Sequence, residues 1–248
     1  MAEEKNIKLV LEYDGSCYHG WQRQTSLPTI QEMLEEKIET MTGETVNLIA
    51  SGRTDSGVHA FHQVANFKTH THLAPSIVKK GLNALLPADI LVKQAEYVSL
   101  DFNSRFSAKS KIYEYRILNR EEPDTFLRFY TWHIAAALNL ETMATCLSML
   151  IGKHDFSAFK SSGSGNKDPI REMIRAEIRG PEDDLITFFF EANGFLRHMV
   201  RNILGTVVEV GRGKINVDDF MEIFLSKDRR KAGAKSPSQG LFLKLVKY

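Results

Sequence analysis

The order in which strand-like and helix-like hydrophobic patterns follow one another constrains the fold of this chain more than any other feature. Residues 7–13 alternate, with Ile7, Leu9 and Leu11 on one face, as a half-buried strand does. After a loop, Thr29-Ile-Gln-Glu32 has the form of a capping box. Ile30, Met33, Leu34, Ile38 and Met41 then make the apolar stripe of a helix that Gly43 ends. Residues 45–50 and 61–67 read as strands joined by a glycine-flanked turn, Pro75 opens a helix over 75–86, and a strand covers 90–99. The order is βαββαβ.

The second half repeats that order with additions. It predicts strand 109–118, helix 140–151 closed by Gly152, strands 170–179 and 185–192, helices 195–210 and 217–226, and strand 240–247. The repeat lies in element order, since no residue repeat relates the halves. A βαββαβ unit is the split-βαβ, ferredoxin-like arrangement, an antiparallel sheet with helices on one face. The expectation is therefore an α+β protein of two ferredoxin-like halves, 1–103 and 104–248, divided at the least patterned stretch near 100–108. Such halves suggest RNA binding, yet no segment carries the aromatic signature of the RNA-recognition motif, so another mode of recognition is required. The Ser/Gly-rich run 161–168 reads as a mobile surface loop and lacks the ending of a phosphate-cradling P-loop.

At 248 residues, 43% hydrophobic and 25% charged, the chain can bury a substantial core. Its charged start and the absence of any apolar run near the ~18 residues of a membrane span argue against secretion and insertion. Cys17 and Cys146 form no CxxC pair, so neither a disulfide framework nor a thiolate zinc site is indicated, and a reducing cytoplasm fits. The net charge of +1 hides an uneven distribution: residues 1–50 carry −5, 105–120 carry +4, 195–214 carry +3 and 227–235 carry +4. That asymmetry suits a polyanion surface on an otherwise neutral protein.

Within this frame Ser51-Gly-Arg-Thr-Asp-Ser-Gly-Val-His-Ala60 sets Asp55 at the tip of a hairpin, rigid at its base and exposed at its crown, where a reactive acid would be displayed. The loop Glu12-Tyr-Asp-Gly-Ser-Cys-Tyr-His-Gly-Trp-Gln-Arg-Gln24 offers Tyr18, Trp21, Gln22 and Arg23, a mixture suited equally to stacking on single-stranded RNA and to a capped loop around a core tryptophan. Tyr113 and Tyr115 share one face of strand 109–118, and alternation does not say which of them faces a cleft. In helix 195–210, Met199, Val200, Ile203 and Leu204 form the buried arc, with Arg197, His198, Arg201 and Asn202 grouped opposite. Such a face is either solvated or the frame of an anionic site. A guanidinium beside Asp55 would hold that carboxylate ionised. His59 and His62, three apart on a strand, point to opposite faces, so a shared metal is not indicated. Hydride-transfer, metalloprotease and acyl-transfer chemistry all lack their motifs.

Taken together, Tyr13-Asp-Gly-Ser-Cys-Tyr-His-Gly-Trp-Gln-Arg-Gln24, the Ser51 to Ala60 string, Phe102-Asn-Ser-Arg-Phe-Ser-Ala108 and His198-Met-Val-Arg-Asn-Ile-Leu-Gly205 resemble the TruA family of tRNA pseudouridine synthases over nearly the whole chain. The resemblance implies the pseudouridine synthase fold, with two sheets forming a central RNA-binding cleft. It implies isomerisation of uridine to pseudouridine in the tRNA anticodon stem-loop, at about positions 38 to 40, by a cytoplasmic homodimer without metal or nucleotide cofactor. Asp55 matches the family's essential aspartate, Arg53 an arginine associated with base flipping, and Tyr113 the tyrosine stacked on uracil. Arg105 matches an RNA contact and Arg201 a basic partner of the aspartate. Two other readings keep parts of this set: a synthase of the same family acting on another RNA, and a non-catalytic RNA-binding protein of the same fold.

Overall fold

The structure, a computed structural model, describes residues 3–163 and 168–248. Along the chain run β1 (Lys5–Tyr13), α1 (Ile30–Thr42), β2 (Ile49–Ala50), β3 (His59–Thr69), α2 (Pro75–Leu85), β4 (Ile90–Val98) and β5 (Ser110–Leu118). They are followed by β6 (Trp132–His133), α3 (Leu140–Ser148), β7 (Gly152–Asp155), β8 (Ile170–Glu182), β9 (Leu185–Ala192), α4 (Met199–Gly211), α5 (Val217–Ser226) and β10 (Leu241–Lys247). The chain is α+β and forms two compact units, residues 1–109 with 242–248, and residues 110–241.

In the first unit β1 is central, antiparallel to β3 through Ile7↔Phe67 and Leu9↔Ala65 and to β4 through Leu9↔Ala95. Its alternation buries Ile7, Leu9 and Leu11 completely, in one core with Ile30, Leu34 and Ile38 of α1 and Val78 and Leu82 of α2. Thr29 caps α1 as the sequence predicts, by accepting from the Glu32 N–H, and Gly43 ends it in the left-handed conformation. The predicted strand 45–50 shrinks to β2, paired to β3 at Ile49↔Asn66. Its earlier residues bond elsewhere: the Leu48 N–H donates to the buried Glu35 carboxylate at 3.0 Å. Strand β10, assigned from element order to the half 104–248, belongs to the first unit. It runs parallel to β3 at Phe242↔His59, with the Phe242 ring stacked on His59 at 4.7 Å and on Phe61 at 4.9 Å.

In the second unit β9 lies between β5 and β8, all antiparallel, with β7 beyond β8. Tyr115, Phe188 and Phe190 come together through Tyr113↔Phe190 and Tyr115↔Phe188, and all three are buried. A second aromatic group, Phe156, Phe159, Phe220 and Phe224, fills the space near α5. Helix 195–210 begins only at Met199, after His198 at φ 61°. The polar face predicted for it is not solvated: Arg201 and Asn202 are buried, and only Arg197, which precedes the helix, is exposed. The loop 161–168 lies in part outside the described residues, at 164–167.

Candidate active site

Asp55 sits in the turn between β2 and β3, and buried polar groups grip that turn at its base. The Ser51 hydroxyl donates to Gln63 Oε1 at 2.7 Å, while Gln63 Nε2 donates to the Gly52 carbonyl at 2.8 Å. The Tyr13 hydroxyl bonds Thr54 Oγ1 at 2.8 Å. Burial pushes the Tyr13 phenol up to about 12, against the opposing effect of its bonds to Thr54 and Gln63, so it stays a neutral partner.

The crown of the turn is held as well, with Arg53 and Ser56 exposed on it and Asp55 half-buried. The Trp21 N–H donates to the Thr54 carbonyl at 3.0 Å, and the Gly57 N–H to the Tyr18 carbonyl at 3.3 Å. Loop 14–21 thus lies backbone against backbone on the Asp55 turn. Gly20 permits this: it sits at φ 91°, and a Cβ there would stand 2.6 Å from the Thr54 carbonyl oxygen. The Gly15 N–H donates to His59 Nδ1 at 3.1 Å, and the Tyr18 hydroxyl donates to Asp89 at 2.6 Å, so the outer loop is itself anchored.

This arrangement decides between the two readings of residues 12–24. Tyr18 and Trp21 are buried. Arg23 reaches α1, 3.3 Å from Glu35 and 3.5 Å from Glu32, and Gln22 bonds Gln31 at 2.8 Å. The segment braces the Asp55 turn and offers no open aromatic platform. Arg105 is exposed on a separate turn of the first unit. Among the described residues no three of His, Cys, Asp and Glu gather as metal ligands.

In the second unit Tyr113 is 7% exposed and meets Phe195 edge-on, with ring centroids 5.0 Å apart. Tyr115, which alternation could not separate from it, is wholly buried, and its hydroxyl donates to the Pro237 carbonyl at 2.8 Å. Burial raises the Tyr115 pKa, against the smaller opposing effects of Ser236 and the Arg201 charge. Arg201, 8% exposed, donates from Nε to the Ser236 carbonyl at 2.8 Å, while its own carbonyl accepts the Ser236 N–H at 3.0 Å. Both side chains are therefore oriented by the segment before β10.

Sequence reasoning grouped Asn202 with Arg201 on the polar side of the helix but did not foresee what it ties together. Asn202 is fully buried, donates to the Phe159 carbonyl at 2.8 Å and accepts from Arg229 at 2.9 Å, tying α4 to two loops at once. A signal was available in Gly205. A glycine inside a helix costs about 1 kcal/mol against alanine and so marks a close approach. A Cβ at Gly205 would lie 1.7 Å from the Ala234 carbonyl oxygen. Gln63 carried no comparable signal.

The first unit thus holds a half-buried carboxylate on a turn braced at base and crown, and the second unit, taken by itself, holds a buried Tyr113 and an Arg201 fixed by Ser236. The chain belongs to the tRNA pseudouridine synthase family, which matches it over residues 9–107 and 147–248. It is accordingly an isomerase that converts uridine to pseudouridine in tRNA. Among its relatives, tRNA pseudouridine synthase A of Thermoanaerobacter sp. (strain X514) is 50% identical over 244 residues, covering 98% of this chain and 100% of that protein. The enzymes of the same name from Acetivibrio thermocellus and Geobacillus sp. (strain WCH70) are each 43% identical, over 98% of this chain and 100% and 98% of theirs.

Proposed function

We propose that this synthase acts on uridines of the tRNA anticodon stem-loop, at about positions 38 to 40, as a cytoplasmic homodimer with Asp55 as its essential carboxylate. Arg53 assists flipping of the target base, Tyr113 stacks on the uracil, Arg201 is the basic partner of the aspartate, and Arg105 contacts the RNA. In the first unit the strand order β4, β1, β3, with β2 paired to β3, supports the reading of that half as ferredoxin-like.

One observation carries the assignment to Asp55: its turn is fixed at the base by Gln63 and Ser51 and at the crown by Trp21 and Tyr18. A reacting group held within a fraction of an ångström by its neighbours is what an isomerisation inside one nucleoside requires. The N1–C1′ bond breaks and a C5–C1′ bond forms, the C5 proton leaves to solvent, and N1 takes one up. The step is redox-neutral, and the chain's own residues are sufficient for it. Extruding the base costs a few kcal/mol, which an arginine entering the stack and an aromatic lid offset. Asp55 has routes by attack at C1′, attack at C6, or removal of the C2′ proton, all of which start from the ionised carboxylate.

Asp55→Asn keeps the size and the loop bonding but supplies neither nucleophile nor base. Single-turnover assays are expected to show a loss of at least about 10³-fold in pseudouridine formation, with tRNA affinity unchanged. Turnover by Asp55→Asn comparable to wild type would remove Asp55 from the chemistry. Mapping pseudouridine in total RNA with and without the protein locates the target positions and separates tRNA from any other RNA.

A further inference from the structure

The turn that carries Arg105 also carries an aromatic ring that the fold leaves outside. Phe106 is 77% exposed, although burying so large an apolar side chain is among the stronger drives in folding. The turn beneath it is firmly built. Asn6 donates to the Ser99 and Phe102 carbonyls at 2.9 and 3.0 Å, and Asn66 Oδ1 accepts the Ser104 N–H at 2.8 Å. Asn6 and Asn66, both buried, also bond each other at 3.0 Å, and the Tyr248 hydroxyl donates to the Ser104 carbonyl at 2.8 Å. Above this base, Asn103 Oδ1 accepts the N–H groups of Arg105 and Phe106 at 3.0 and 3.2 Å, closing a turn capped by a side chain.

Charge distinguishes this ring from the other strongly exposed one. Phe126, 87% exposed, lies in the stretch 120–128, where Glu121, Glu122 and Asp124 outnumber Arg120 and Arg128 to leave a net −1. Phe106 has the Arg105 guanidinium 5.3 Å from its ring centroid, and the exposed Lys109 follows three residues on. An exposed ring beside a cation, on a backbone that need not reorganise, is the chemistry of single-stranded nucleic-acid recognition. We infer that Phe106 is a stacking platform for an unpaired base of the RNA substrate, with Arg105 holding an adjacent phosphate. The inference rests on the RNA-modifying reading above and adds to it a base contact outside the reacting nucleoside.

The test uses the full chain and unmodified tRNA transcripts. Phe106→Leu is expected to bind about 5- to 100-fold more weakly, with Phe106→Tyr and Phe106→Trp returning to within about twofold of wild type. The slope of log affinity against log salt stays that of wild type in Phe106→Leu and falls by about one in Arg105→Ala. The added tryptophan of Phe106→Trp is quenched on RNA binding relative to wild type. Wild-type affinity in Phe106→Leu, failure of Phe106→Tyr to rescue, or dissociation of the oligomer by Phe106→Leu would each overturn the inference. Parallel activity assays separate it from the functional reading. A wild-type protein that binds tRNA but makes no pseudouridine refutes the function and leaves the stacking claim to be judged by affinity and rescue. One that binds no tRNA overturns both.

Discussion

Gln63 shows how much of this enzyme is decided by single buried atoms. Its amide is fully buried with both ends in use: Oε1 accepts from Ser51 Oγ and the Val64 N–H, and Nε2 donates to the Gly52 carbonyl. Gln63→Met keeps the volume but strands the Ser51 hydroxyl and the Gly52 carbonyl, each at a cost of about 1–3 kcal/mol. Urea denaturation is expected to show that loss. Because those groups set the Asp55 turn, single-turnover rates should fall about tenfold or more while tRNA affinity holds. A purely structural role would lower stability and leave the saturated rate of the folded fraction intact. The turn around Asp55 was legible in the sequence because glycines and turn formers bracket it, whereas Arg53 was singled out only by the family resemblance. Gln63 was not, since its partners are defined only by which residues the β2–β3 turn brings beside it. Tyr18 and Trp21 marked the opposite difficulty: aromatics in a glycine-punctuated loop read equally as a binding surface and as core, and only their burial separates the two.

Helix α4 carries the same lesson to the element. Periodicity found its buried arc and grouped Arg201 and Asn202 opposite it as either a solvated face or the frame of an anionic site, because a 3.6-residue pattern cannot distinguish those from a polar side satisfied by backbone carbonyls. Here the carbonyls are those of Ser236 and Phe159. The premature start at 195 has a related cause, since hydropathy does not register the left-handed turn at His198. Strands β6 and β7 are too short to alternate visibly and were missed, whereas α2, α5 and β10 were placed within about a residue. Gly205→Ala tests whether contact or propensity governs α4. Propensity favours alanine by about 1 kcal/mol. The Cβ would overlap the Ala234 carbonyl, at 1.7 Å, and forcing α4 from the 229–240 segment costs about 1–3 kcal/mol or more. A lower melting temperature is expected, with activity reduced through displaced Arg201; a rise in melting temperature would show that the segment yields freely.

At the scale of the whole molecule, the first unit is discontinuous. Residues 1–109 lack Phe242, Leu243 and Val246, which belong to that unit and are buried in the folded chain. At about 1.5–3 kcal/mol for each side chain, their removal takes away roughly 5–9 kcal/mol, comparable to the total stability of a small domain. A fragment 1–109 is therefore expected to lack near-ultraviolet circular dichroism and cooperative unfolding, and fusing residues 241–248 to it through a flexible linker should restore both. A folded 1–109 fragment would show β10 to be dispensable. During synthesis the same discontinuity sets a clock. About 130 residues separate Lys109 from Phe242, which at ~5–20 residues per second is roughly 7–26 s of elongation. Throughout that interval the nascent chain carries Asp55 and its turn, yet His59, which takes up the turn's far end, lacks the ring and strand that seat it. A ribosome that stalls before residue 242 leaves a chain holding the Asp55 turn without the strand that pairs beside its far end.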